Sequence, residues 1–339
     1  MGHPMVRSSI LADFPACAAR HGIAPLELLK AAGLPARCLT QPELLVRAGR
    51  VHRLLELAAA RSAAPDFGLQ MSRSRRLVGL GLVGALMRDE PTVREALRRF
   101  IATAHLNSSA IWLQLREEAG WALLQLHLDS DGQPVIRQAT ELALGGLVSV
   151  LRQLLPATWH PQEVHFAHGP AQPAAQAARF FGCSVRFDAE VDAILLRSQD
   201  LDHRVPLADG GLTRYAGLAA LASLARQEAV TVNRVKQRIL LQMMDGPCSA
   251  TDVAASLGVD RRTLHRRLAR EDSSFLAVYD TVRLELAKRH LRAGWLSMAQ
   301  VAQTLNIDSP SAFSRWFKRH TGETPSRWRD QHRAAPGTR

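Results

Sequence analysis

The chain has 339 residues, of which 47% are hydrophobic and 22% charged, and its formal net charge is +12. That length suits two domains with separate cores, and that composition is that of a soluble globular protein. Four scattered cysteines (Cys17, Cys38, Cys183, Cys248), no C-x-x-C spacing and no apolar run of membrane-spanning length argue against a disulfide framework, a structural zinc site or a membrane protein.

At the N-terminus His3, Arg7 and Asp13 interrupt any signal-peptide core, so the chain is expected in a reducing cytoplasm. Apolar spacing then predicts helices over Ile10–Arg20, Pro25–Ala32, Leu44–Arg61, Leu80–Arg88 and Thr92–Leu106. Thr92, three residues before Glu95, reads as a capping-box start. Ala110–Arg116 and Trp121–Leu128 are apolar runs flanking Glu117–Gly120 and read as a hairpin. Pro134–Leu155 reads as one long buried helix, and Glu163–Ala167, Cys183–Phe187 and Ala193–Arg197 as short strands. Helices mixed with runs of strands predict an α+β domain whose sheet is mainly antiparallel. Pro206 and Gly210-Gly211 mark its end, and a further helical run covers Leu212–Gln227. The expected organisation is therefore a first domain over 1–211, a linker helix over 212–232, an all-α domain over 233–332 and a disordered tail at 333–339.

The all-α segment writes one phrase twice. DVAASLGVDRRTLHRRL (Asp252–Leu268) returns as QVAQTLNIDSPSAFSRWF (Gln300–Phe317), 48 residues later. Val253 matches Val301, Ala254 matches Ala302, Leu257 matches Leu305 and Val259 matches Ile307; after Asp260 and Asp308 the second copy has one extra residue. In the first copy Asn233–Met244 is a packing helix, Ser249 or Thr251 caps the support helix Asp252–Leu257, Gly258 makes the turn, and Asp260 caps Arg261–Glu271. Leu264 and Leu268 fix the inner face, leaving Arg262, His265 and Arg266 outward as candidate base contacts. Arg261, Arg267 and Arg270 are candidate phosphate contacts. In the second copy Ser309 caps, Pro310 takes the first helical position and Phe313, Trp316 and Phe317 face inward. Ser311, Ser314 and Arg315 are left for bases, and Lys318, Arg319, Arg327 and Arg329 for phosphates. Between the copies Phe275–Leu291 has apolar residues at helical spacing, namely Leu276, Tyr279, Val282, Leu286 and Leu291. A helix of roughly 20 residues is ~30 Å long, close to the ~34 Å between successive major-groove faces. Charge agrees: Val230–Arg339 holds 19 Lys+Arg against 10 Asp+Glu, leaving 24 against 21 for the rest, as expected where only one part meets phosphates.

Residues Val235–Arg329 resemble the DNA-binding domain of the AraC/XylS family of bacterial transcription regulators, through LGVDRRTLHRRL (Leu257–Leu268), VRLELAKRHL (Val282–Leu291), SAFSRWFKRHTGETPSRWR (Ser311–Arg329) and the two-unit spacing. Three positions depart from the family pattern. Asn306 replaces the turn glycine of the second unit, Ile307 a phenylalanine, and Asp272 a glycine after Glu271. DFGLQM (Asp66–Met71), GLGLVGALM (Gly79–Met87), PTVREALRRF (Pro91–Phe100), HPQEVHFAH (His160–His168) and RFFGCSVRFDAEVDAILL (Arg179–Leu196) resemble the arabinose-binding-type sensor domain of one subgroup of that family. The resemblance implies a transcription regulator that senses a small molecule through its N-terminal half and dimerises. Its partners would be promoter DNA, RNA polymerase, an effector of unassigned identity and a second copy of itself, on the nucleoid.

Other motifs have plainer readings. GLGLVG (Gly79–Gly84) matches a dinucleotide fingerprint, but Ser72–Arg76 precedes it instead of a strand and Pro91 soon follows, so close helix packing is the better account. His160, His165 and His168 have spacings of five and three that do not align on a strand, which favours structural roles over zinc. Trp112, Trp121, Leu124 and His127 are candidates for an effector pocket or for core. No cofactor, metal site or catalytic constellation is expected, so the chain is read as a regulator and not an enzyme. The rival readings are an enzyme with an appended DNA-binding module and an effector-free architectural binder.

Overall fold

The computed structural model describes residues 3–170, 174–206, 232–245, 248–294 and 296–332. They fall into two compact units, separated between residues 206 and 232. The run Leu212–Gln227, most of the expected 212–232 linker and the 333–339 tail lie outside the described residues.

The first unit is α+β, as its sequence pattern predicts. A small antiparallel pair joins β1 (Met5–Arg7) to β2 (Leu45–Arg47). The larger sheet has five strands: β3 (Ile111–Glu118), β4 (Trp121–Leu128), β5 (Glu163–His165), β6 (Ser184–Arg186) and β7 (Asp192–Arg197). Their order is β3-β4-β7-β5-β6, antiparallel except for the β5–β6 edge. The β3–β4 hairpin turns at Ala119 and Gly120, both with positive φ.

Two helices begin four residues later than expected, each for a physical reason. The helix expected over Ile10–Arg20 begins only at Phe14, as α1 (Phe14–Arg20), because Pro15 tolerates the first turn but not a helix interior. Leu45–Arg47 leaves the expected helix to pair with Met5–Arg7, and α3 (Ala48–Ser62) starts afterwards. Around these lie α2 (Pro25–Ala32), α4 (Phe67–Ser72), α5 (Leu82–Arg88), α6 (Val93–Thr103), α7 (Arg137–Leu154) and α8 (Ala174–Phe181). At α6 Thr92 accepts the Glu95 amide, and its own hydroxyl donates to the Glu95 carboxylate.

The long helix α7 is buried on most of its circumference, with Leu142, Leu144, Val148, Leu151 and Leu154 in the core. It packs on α3, α4 and β7. Its seam with α4 is unusually close. A Cβ at Gly68 would strike the Gln138 carbonyl, and one at Gly145 would strike the Ser72 hydroxyl. Side-chain bonds stitch the same seam: Gly68 N–H donates to Gln138 Oε1 at 2.7 Å, Gln138 Nε2 to the Pro65 carbonyl at 2.8 Å, and Ser149 Oγ to the Ser72 carbonyl at 3.0 Å.

GLGLVG packs as expected of a structural motif. Gly81 has φ of 58°, which opens α5, and a Cβ at Gly84 would strike the Leu77 carbonyl. The three histidines diverge. His160 bonds the Pro161 carbonyl, His165 pairs with Glu163 at 2.6 Å, and His168 bonds the Gly169 carbonyl. Among the described residues no group of three or more His, Cys, Asp or Glu is placed to hold a metal, and no described helix is long and apolar enough to cross a membrane. Burial pushes the Cys183 and Cys248 thiols up to about 11, so neither is a thiolate near neutrality.

The second unit is all α: α9 (Val232–Asp245), α10 (Ala250–Ser256), α11 (Arg261–Ala269), α12 (Phe275–Ala293), α13 (Met298–Thr304), α14 (Pro310–Thr321) and α15 (Pro325–His332). Of the apolar positions predicted for the connecting helix α12, Tyr279, Val282 and Leu291 are buried and Leu286 half-buried, whereas Leu276 is 64% exposed.

The α4–α7 seam yields a prediction. Gly68→Ala should lower stability by about 1–3 kcal/mol, because overpacking here meets a backbone carbonyl that has no rotamer to move. Gly79→Ala, where a Cβ meets nothing within 4 Å, is expected to leave the thermal midpoint within about a degree or two. Thermal denaturation of the two variants compares them.

Candidate nucleic-acid interface

Each half of the second unit is a helix-turn-helix, and the two turns match bond for bond. In the first, Gly258 N–H donates to the Ala255 carbonyl at 3.0 Å and Val259 N–H to Ala254 at 3.0 Å. In the second, Asn306 N–H donates to Gln303 at 3.0 Å and Ile307 N–H to Ala302 at 2.9 Å. Both turn residues are left-handed, with φ of 68° at Gly258 and 53° at Asn306. Asparagine tolerates that region better than other residues with a Cβ, which explains how it stands where the first unit has glycine. Asp272, the other departure, also has positive φ, 51°.

The second helix of each unit starts on a built cap. Asp260 Oδ1 accepts the Thr263 amide at 2.8 Å while Thr263 Oγ1 donates to Asp260 Oδ2 at 2.8 Å. Those bonds hold the Asp260 carboxyl below its ordinary range. In the other unit Ser309 accepts the Ala312 amide at 3.1 Å and Pro310 takes the first turn. The additional residue of the second copy is absorbed in the loop before Ser309, so the helix after it keeps its register. The preceding helices are capped by Ser249 and Ser297; Ser249, not Thr251, does this in the first unit.

These frames set which side chains face out. On α11, Leu264 and Leu268 are fully buried, and Arg261, Arg262, His265, Arg266 and Arg270 are exposed, with Arg267 half-buried. At 100° per residue Arg262 and Arg266 lie opposite the buried pair, with His265 on the shoulder of that face. On α14, Phe313, Trp316 and Phe317 are buried; Ser311, Arg315, Lys318 and Arg319 are exposed and Ser314 is half-buried. Positions 311, 315 and 318 recur at i, i+4 and i+7, so Lys318 shares the outward stripe of Ser311 and Arg315. Arg327 is exposed on α15 and Arg329 half-buried.

The connecting helix α12 fixes the second unit through residues the sequence reading passed over. The Trp316 indole N–H donates to Asp280 Oδ1 at 3.1 Å, and His320 Nε2 lies 3.6 Å from Asp280 Oδ2. Arg283 Nη2 donates to the Asn306 carbonyl at 2.8 Å, and its guanidinium stacks over Tyr279 at 4.3 Å. Both are half-buried charges whose partners lie on other elements, so the sequence carries no signal for them. Ala287 and Leu291 continue the contact into the apolar core of the second unit with Val301, Leu305, Phe313, Phe317 and Trp328. Toward the first helix-turn-helix, α12 packs on α9, where Lys236 Nζ reaches Glu285 at 2.7 Å.

The four sheet residues named for an effector pocket are only partly brought together. Trp112 and His127 are cross-strand partners with rings 5.1 Å apart. Trp121 shares their face but stands six residues along β4 from His127, ~20 Å away, and is 43% exposed. Leu124 is fully buried and points to the opposite face, which carries Ile194.

Comparison with known proteins follows these two units. A family model described as the arabinose-binding domain of AraC transcription regulators, N-terminal, matches residues 22–205. A helix-turn-helix domain model matches residues 253–331. The HTH-type transcriptional regulator VirS of Mycobacterium tuberculosis is 27% identical over 315 residues, covering 91% of each chain. The ornithine utilization regulator of Pseudomonas aeruginosa is 24% identical over 315 residues, covering 92% of each. A crystal structure of the transcriptional regulator CdpR from Pseudomonas aeruginosa covers 93% of this chain and 98% of that one, at 23% identity and a TM-score of 0.45.

The turn at Asn306 provides a direct check on the second frame. Asn306→Ala should cost about 1 kcal/mol, the penalty of a Cβ without a locally bonding side chain in left-handed backbone. Asn306→Gly should be neutral or slightly stabilising at the same site. Chemical denaturation followed by tryptophan fluorescence, with Trp316 and Trp328 in this core, reads both.

Proposed function

The chain belongs to the AraC-type transcription regulators with an arabinose-binding-type N-terminal domain, and on that premise we infer how its parts divide the work. It is a helix-turn-helix regulator whose C-terminal unit binds DNA and whose N-terminal domain is of the effector-binding type. Arg262, His265 and Arg266 are assigned to base edges in one major groove, and Ser311, Ser314 and Arg315 to those of the next. Arginine suits the first set because its planar fork donates twice to guanine O6 and N7. Arg261, Arg267, Arg270, Lys318, Arg319, Arg327 and Arg329 are assigned to phosphates, where they supply affinity and salt dependence. One observation carries this reading: two equivalent frames, held on one continuous 19-residue helix, each expose a basic or small polar stripe opposite a fully buried apolar one.

Residues 1–211 are assigned to effector sensing and homodimerisation, 212–232 to the link, and 233–332 to DNA. The effector is a small molecule, and the Trp112–His127 pair is one place on the sheet where it could rest. Binding shifts the freedom or orientation of the reader through the link, and the bound regulator then alters recruitment of RNA polymerase at a promoter in the cytoplasm, on the nucleoid.

Footprinting on promoter fragments tests the double reader: two protected patches one helical turn apart are expected from one reader domain, and a single short patch would refute it. In the same assay Arg266→Ala should weaken the preferred site by roughly 10- to 100-fold, the worth of one bidentate base contact, with a much smaller change on random duplex. Arg319→Ala should weaken both alike and lower the salt slope by about one.

A further inference from the structure

Around the first turns of α7 the first unit buries a set of polar heads that satisfy each other poorly. Glu141 is 2% exposed. Its Oε1 lies 4.0 Å from Arg137 Nε and 4.0 Å from His168 Nε2, too far for a hydrogen bond in either direction. Glu141 Oε2, Arg137 Nε and His168 Nε2 are all buried and make no hydrogen bond among the described residues. Most buried polar atoms find a partner, with a few exceptions per 100 residues, and here three of the exceptions lie in one cluster around Glu141.

The chemistry of the gap is directional. His168 Nδ1 lies 2.9 Å from the Gly169 carbonyl; a carbonyl only accepts, so Nδ1 carries the proton. Burial holds the imidazole below its ordinary range, hence neutral, and Nε2 is left as an acceptor. Glu141 Oε2 is a second acceptor. The neighbouring carboxylates are already occupied: Asp66 takes the Gln70 and Gln176 amides, Glu56 takes the Gln138 N–H, and Asp192 takes the Ala167 N–H. They contribute negative potential without competing for a donor. Against Glu56, Asp66, Glu141, Asp188 and Asp192 the cluster sets one cation, Arg137. Aromatic faces adjoin it, with Phe166 stacked on Phe187 at 5.5 Å and tilted against His168 at 4.9 Å, and such faces also attract cations.

We propose that Glu141 and His168 form the floor of a ligand site in the sensor domain that takes the ammonium head of a small primary amine, its carbon chain lying against Phe166 and Phe187. The proposal rests on the effector-sensing reading above and names the ligand class for it. The cluster draws on α3 through Glu56, on Asp66 at the start of α4, on α7, on the loop after β5 and on Asp192 of β7, so an occupied site bridges the helical layer and the sheet of one domain. Burial, with Asp66 and Glu56 adding and Arg137 opposing, pushes the Glu141 carboxyl up to about 8. The free site is therefore mostly protonated at neutral pH. When R–NH3+ enters, its N–H groups donate to Glu141 Oε2 and His168 Nε2, and the Glu141 proton leaves to the buffer.

That exchange makes the test specific. The full chain is titrated with n-butylamine and benzylamine hydrochlorides as probes, with n-butanol and butyrate as controls, by thermal shift and by calorimetry at pH 7 in two buffers of different ionisation enthalpy. The amines are expected to raise the melting temperature and to release close to one proton on binding; the alcohol and the acid should do neither. Glu141→Gln, nearly isosteric, should weaken amine binding at least tenfold and abolish proton release. Absence of any amine effect at millimolar probe, tighter binding of the alcohol or the acid, or equal amine binding in the variant would overturn the proposal. Proton release by the unmodified protein decides the matter if the variant does not fold. Footprints of both proteins without amine should be identical, so loss of this site leaves the DNA-binding reading standing, whereas a lost footprint would strike that reading alone.

Discussion

The spacing of the helices Arg261–Ala269 and Pro310–Thr321 depends on a single continuous rod, Phe275–Ala293, and on the few polar bonds that fasten each half of the unit to it. Asp280 holds the indole of Trp316, whose ring belongs to the buried face of the helix that presents Ser311 and Arg315. Arg283, one turn on, holds the carbonyl of the turn residue Asn306. One bond therefore sets the azimuth of the helix Pro310–Thr321 and the other sets its entry. Charge-assisted bonds to groups this well ordered contribute more than neutral ones, and the apolar contact through Ala287 and Leu291 excludes water beside them. Each exposed arginine inherits its direction from this frame. The caps at Asp260 and Ser309 do the remaining local work by fixing where each helix begins.

Much of this frame is legible in the sequence because it is written twice. Repetition fixes the phase: once Leu264 and Leu268 are known to face inward, Arg262 and Arg266 must face outward, and Phe313 with Phe317 imposes the same logic on Arg315. What stayed hidden were contacts between elements. Asp280 and Arg283 look like ordinary surface charges until Trp316 and Asn306 are seen beside them. In the first unit the hairpin, the long helix and the short strands were readable from apolar runs, and the mainly antiparallel sheet followed. Misplaced boundaries trace to competition between local signals. The apolar spacing of Ile10–Arg20 outweighed Pro15 in the sequence reading but not in the chain, and Leu45–Arg47 is too short to announce a strand without its partner Met5–Arg7. Glu141 went unnoticed for a related reason. A single carboxylate in the run QATELALGGLVSVL (Gln138–Leu151) reads as a helix residue, and only the fold brings His168 to it from 27 residues downstream.

The sensor unit is organised around the opposite principle from the reader. Where the reader exposes its polar groups on regular faces, the sensor buries several of them at the meeting of helix and sheet, and most are answered. Gln138 alone bonds Gly68, Pro65 and Glu56. Such a network is costly to leave half-made, so the region holds one arrangement firmly where it is complete and is responsive where it is not.

That contrast gives the glycine contacts of α4 and α7 a mechanical meaning. Helices that meet through side chains can slide a little as rotamers readjust, whereas at Gly68 backbone meets the Gln138 carbonyl and there is no such cushion. The opening turns of α7 therefore have no rotamer to absorb a shift against Phe67–Ser72, and the Arg75 guanidinium, donating to the Ile10 carbonyl at 2.8 Å, ties the next segment to the same seam.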